Sequence, residues 1–81
     1  MNQMNSGSGL PTLDSLSQAQ RERLSYIEFR LYFLGEVGRA DLMKRFGVAP
    51  AGATRDFALY KELLPQNIEF NTVTKTYVIR E

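Results

Sequence analysis

The spacing of apolar positions changes along this chain, and each change marks an element. Residues 1–9 are polar and Gly/Ser-rich and carry too little apolar surface to offset the entropy of ordering them. Leu10, Leu13 and Leu16 then recur every third residue, with Pro11 near the start, where a helical turn tolerates it. This reads as a short turn or an extended arm. Ser17 is a suitable N-cap for a helix over 18–34, which Gly35 should stop. Leu24, Ile27, Leu31 and Leu34 share one face of that helix at a period of 3.6. Tyr26, Phe29 and Phe33 fall on nearly the opposite face. A surface helix needs one apolar stripe, and this one has two. Either the leucine arm folds back over the aromatic face, or that face docks a second subunit or a further domain.

Downstream, Glu36 and Val37 can form a short β-bridge. Gly38 can cap a second helix, with Asp41 in the first turn, where the helix dipole favours a negative charge. Leu42 and Phe46 should point inward, flanked by Met43, and Gly47 should end the helix. Val48 should plug the gap before a third helix that opens on Pro50 at its first position. Ala53, Phe57, Tyr60 and Leu64 form the expected buried stripe, and Pro65 stops the helix. Residues 67–70 and 76–80 alternate as two strands, joined by a loop over 71–75. The sum is a mostly α fold with a small β-hairpin: a winged helix-turn-helix, with a three-helix core plus a wing. Residues 1–16 are expected to be a flexible leader or arm, and residues 17–81 the domain.

Composition narrows the chemistry. The chain has neither cysteine nor histidine, which removes disulfides, thiolate metal sites and the commonest general base. No Gly-rich phosphate loop is present, and the carboxylates lack metal-ligand spacing, so no enzyme and no cofactor is expected. No apolar run reaches the ~20 residues of a membrane span, and residues 1–9 lack a signal-peptide core. A cytoplasmic protein is the expectation. Net charge is only +1, from ten basic and nine acidic residues. The helix pair is mildly positive by itself, with Arg39, Lys44, Arg45, Arg55 and Lys61 against Asp41 and Asp56.

A helix-turn-helix usually places its second helix in the DNA major groove. The leading residues of such a helix must be small or polar. Here Pro50, Ala51, Gly52, Thr54, Arg55 and Ala58 are expected to be exposed, and Arg55 is the strong donor, able to grip guanine or a phosphate. Thr54 can donate to a phosphate or touch a thymine methyl. Gly52 is costly inside a helix, which suits close approach to DNA or else a weakly constrained turn. Arg39 and Lys75 could hold flanking backbone, and Lys61 is a further candidate. Lys44 and Arg45 read as a solvated face. Asp56 is expected to orient Arg55 or a neighbouring base from the side without touching DNA, and Tyr60 to pack in the core. Double-stranded DNA is therefore the expected partner. The rival reading is a protein-protein interaction or dimerisation module without DNA binding, which the near-neutral charge and the Tyr26, Phe29 and Phe33 face favour.

The runs R-L-x-Y-I-E-F-R-L-Y-F-L-G (23–35), R-A-D-L-x-x-R-F-G-V (39–48) and R-D-x-A-L-Y (55–60) carry a resemblance. L-P-Q-N-I-E-F-N and Tyr77-Val78 extend it, so that it covers 21–80. The chain resembles the N-terminal winged helix of WYL-domain transcriptional regulators, in particular those of bacterial phage-defence islands of the BREX and CBASS types. The resemblance implies a homodimeric repressor on a near-palindromic operator, working with the bacterial nucleoid. In that family a WYL domain and a C-terminal extension follow and are thought to sense a ligand; the resemblance seen in this chain carries no such role. Ala49 replaces a usual capping serine and Gly52 is unusual, so the DNA sequence preference of the family does not transfer.

Overall fold

A computed structural model describes residues 15–80. Its elements run α1 (Gln18–Leu34), β1 (Glu36–Val37), α2 (Arg39–Phe46), α3 (Pro50–Leu63), β2 (Ile68–Asn71) and β3 (Thr76–Ile79). The three strands form one antiparallel sheet in the order β1-β3-β2. Glu36 and Val37 pair with Val78 and Tyr77, while Ile68 to Asn71 pair with Ile79 to Thr76. This is the winged helix expected from the sequence.

Local chemistry accounts for the helix ends. Ser17 Oγ accepts from the Gln20 N–H at 3.1 Å, and Gln20 Oε1 accepts from the Ser17 N–H at 2.9 Å, a reciprocal cap on α1. Gly38 has no side chain to cap α2, so Asp41 Oδ2 accepts from the Gly38 N–H at 2.7 Å instead. Gly35 and Gly47 end α1 and α2 with φ of 86° and 72°. A Cβ would meet nothing within 4 Å at either site, so glycine is there for the left-handed backbone and not for space. Pro50 opens α3, and α3 ends at Leu63, before Pro65.

The core gathers Leu24, Ile27 and Leu31 of α1, Val37, Leu42, then Ala53, Phe57 and Tyr60 of α3, and Ile68. Phe57 stacks on Tyr77 with ring centroids 4.1 Å apart, which fastens the wing to α3. Phe70 meets the same Tyr77 edge-on at 4.9 Å.

Several expectations about the fold need correction. Leu34 is exposed: α1 ends there, the chain reverses at Gly35, and Val37 supplies the apolar group that β1 brings to the core. Leu64 is also exposed, because its backbone has left the helix (φ −136°, ψ 64°) and no longer continues the stripe. Leu16, the last residue of the expected leader or arm, packs in the core and is not part of a flexible leader. The strands lie at Ile68–Asn71 and Thr76–Ile79, and β3 is half-buried throughout instead of alternating, since it is the central strand. Asp56 is buried, as developed below. Leu10, Pro11 and Leu13 lie outside the described residues.

Candidate nucleic-acid interface

At 100° per residue, Ala51, Thr54, Arg55, Ala58 and Lys61 fall within an arc of about 120° on α3, spread over about 15 Å of its axis. All five are exposed, as is Pro50. Gly52 is half-buried, at the edge of this face, beside Val48. Arg39, the first residue of α2, extends its Nη1 to within 3.4 Å of Thr54 Oγ1, which joins the start of α2 to the outer face of α3. The Arg55 side chain forms no hydrogen bond or ion pair among the described residues. Its guanidinium is exposed.

The α3 N-terminus begins at Ala49, which offers no side-chain cap, so its leading N–H groups are not satisfied from within that turn. The same end carries the positive pole of the helix. Both features suit an anion.

The charge balance of the helix pair differs from its formula. Asp41 is held by its cap to Gly38 and by Arg30 Nη2 of α1 at 3.2 Å. Asp56 Oδ2 takes the Nε–H of Arg23, also of α1, at 2.6 Å and is 4% exposed. It does not orient Arg55 from the surface: at three residues after Ala53 and four before Tyr60, it lies on the buried side of α3. Both acidic groups between Arg39 and Lys61 are thus paired with arginines of the first helix. Arg39, Lys44, Arg45, Arg55 and Lys61 remain exposed over the same stretch. Arg45 also lies over the rings of Tyr26 and Phe46 at 5.6 Å.

The wing is held to the body by hydroxyls. Thr76 donates to Glu36 Oε1 of β1 at 3.0 Å, and Thr74 shares a 2.7 Å hydrogen bond with Thr76. Asn71 Oδ1 accepts from the N–H groups of Val73 and Thr74. Lys75 sits in this loop with φ of 62°, uncommon for a residue with a side chain. Val73 is 88% exposed beside it.

The aromatic residues of α1 separate into two groups. Tyr26 packs edge-on against Phe46 of α2 at 5.5 Å, and its hydroxyl accepts from Arg30. It is therefore part of the fold. Phe29 and Phe33 pair with each other at 5.1 Å and stay exposed with Tyr32 and Leu34. They border an apolar groove that Leu16, Leu24 and Leu63 also line. Tyr60 is in the core, as expected. Its hydroxyl donates to Glu28 at 3.2 Å and accepts from Asn67 at 3.5 Å. Burial, with the nearby Glu28 carboxylate, pushes its pKa up to about 12.

Of the residues expected to contact DNA, Arg39, Pro50, Ala51, Gly52, Thr54, Arg55 and Lys61 lie on the two helices, Gly52 at the edge of the exposed face, and Lys75 in the wing. Sequence reasoning missed the pairing of Arg23 with a buried Asp56. The one signal for it was a carboxylate spaced with the apolar stripe of α3.

Known proteins similar to this chain were found by comparison. Residues 19–81 match the family described as the BrxR transcriptional regulator winged helix-turn-helix domain. The chain is 34% identical over 59 residues to the DNA-binding transcriptional repressor CapW of Stenotrophomonas maltophilia, covering 73% of this chain and 20% of that protein. It is 33% identical over 58 residues to the CapW repressor of Escherichia coli (strain KTE188), covering 72% of this chain and 19% of the relative. The matched segment is thus about a fifth of these relatives. With the helices, cap positions and wing in place, the chain belongs to the BrxR winged helix-turn-helix domain family.

Proposed function

We propose that this domain is the DNA-reading part of a transcriptional repressor, with no catalytic role. The observation that carries the reading is the pairing of Asp41 and the buried Asp56 with α1 arginines, which leaves the fully exposed charged side chains between Arg39 and Lys61 all basic. The third helix enters the major groove of double-stranded DNA, with Thr54 and Arg55 toward base edges or phosphates. Arg39 and Lys61 hold flanking phosphates, and Lys75 reaches the neighbouring backbone from the wing. Pro50, Ala51 and Gly52 are small enough to let the helix end approach closely. The names of the CapW relatives agree with this reading. One copy offers few donors, so two copies on a near-palindromic site supply the affinity, in the cytoplasm and in company with the nucleoid.

Site selection from a random duplex pool, followed by fluorescence anisotropy at several salt concentrations, tests this. With about four phosphates contacted, log K should fall against log salt with a slope of about −3.6. An affinity independent of salt would rule the reading out.

The exposed Phe29, Tyr32, Phe33 and Leu34 favour a second reading, in which α1 docks a protein surface or a second copy. Tyr26 takes no part in it, being engaged with Phe46. Sedimentation of the wild type and of Phe29→Ser separates the outcomes. Self-association that the substitution abolishes assigns the face to a dimer.

A further inference from the structure

Asp56 is the buried charged residue among the described positions, and its arginine partner is itself only 20% exposed. Taking two such ions out of water costs free energy that their attraction does not always return, and an apolar pair of similar volume often supports a fold as well. What an apolar pair lacks is direction. Leucine on leucine allows one helix to roll against another, whereas a 2.6 Å N–H···O contact fixes the angle. A second polar tie lies one turn along α3, where Tyr60 donates to Glu28 of α1 at 3.2 Å. Two directional contacts on one helix-helix face set both roll and slide.

Thr54 and Arg55 immediately precede Asp56, so their direction follows from its anchorage. A roll of ~10° carries a guanidinium ~10 Å from the helix axis through ~1.7 Å, beyond the ~0.5 Å within which a recognition group must be held. We propose that Arg23 and Asp56 form a positioning pair that sets the roll of α3 and thereby the selectivity of the domain for one DNA sequence over another. The inference rests on the DNA-reading role of α3 and assigns the source of its selectivity. Neither residue needs to touch DNA.

The test replaces the pair by Arg23→Met with Asp56→Leu. The double variant should unfold at a urea concentration no lower than wild type, yet lose ~5- to ~150-fold in its preference for the selected site over a scrambled duplex, the worth of one base contact. Its salt slope on the scrambled duplex should not change, because phosphate contacts are not altered. Native stability with an unchanged preference would overturn the proposal. Should the double variant not fold, single variants decide. Asp56→Asn keeps an acceptor in place and should retain the preference, whereas Asp56→Glu, one methylene longer, should lose it; equal preference in the two would overturn the proposal. If the wild type prefers no sequence at all, the DNA reading fails separately. Residual dipolar couplings of α3 against α1 would then still test the pair, since the proposal requires them to differ between wild type and the double variant, and identical couplings would refute it.

Discussion

Gly52→Ala should move stability and DNA affinity in opposite directions. Gly52 is the third residue of α3, where alanine is the better helix former by up to ~1 kcal/mol. A Cβ built there stands 3.6 Å from the Val48 Cβ, an ordinary contact, so no strain offsets that gain. The site is half-buried, so the new methyl adds about half of the ~0.8 kcal/mol of a fully buried carbon. The sum is at most ~1.4 kcal/mol, which for a domain of this size raises Tm by up to ~6–11 °C. On the outer side the methyl occupies space that close approach to a phosphate would need, and a tenfold loss of affinity corresponds to ~1.4 kcal/mol. Thermal unfolding by circular dichroism and anisotropy on the selected duplex read the two effects separately. A lower Tm would refute the packing argument. A raised Tm with unchanged affinity would refute close approach at Gly52 and leave it a loosely constrained surface turn.

Lys75→Gly relieves a left-handed backbone that costs a side-chain residue ~1–2 kcal/mol, so the urea midpoint should rise; if Lys75 touches a phosphate, the salt slope should become shallower by ~0.9, and an unchanged slope would remove it from the interface. Asp41→Ala removes the cap of α2 and the partner of Arg30, and should lower stability by ~1–2 kcal/mol in urea unfolding. Tyr60 gives a pH effect whose sign is fixed. Its proton is held up to about pH 12 in the folded domain but only to about pH 10 in the unfolded chain, where the phenol is free in water. Between these values the unfolded chain binds fewer protons, so stability falls as pH rises. Tyr60→Phe should flatten that decline in urea titrations from about pH 9 to about pH 12, and an equally steep decline would contradict the assignment.

Punctuation made the helices legible: Ser17, Gly35, Gly47, Pro50 and Pro65 each stand where the structure begins or ends one. The exposed face of α3 was legible from helical spacing, since Thr54 and Arg55 fall outside the Ala53, Phe57 and Tyr60 stripe. Asp56 was misread because charge outweighed position, and its partner Arg23 is 33 residues away, beyond any local pattern. Tyr26 shares the outer side of α1 with Phe33 on a helical wheel, but its ring reaches Phe46 of a different helix, a contact that periodicity does not show. Net charge was the least informative quantity. A value of +1 gives no sign that Asp41 and Asp56 are paired with α1, which decides what the helix pair presents to solvent.

In the function proposed for this domain, the outer face of α3 reads DNA. The most direct test is Arg55→Ala, measured by anisotropy on the selected duplex and on a scrambled one at the same salt. A base contact predicts a loss of ~1–3 kcal/mol on the selected site with little change on the scrambled one, and an equal loss on both would make Arg55 a phosphate clamp. No change on either duplex would contradict the account.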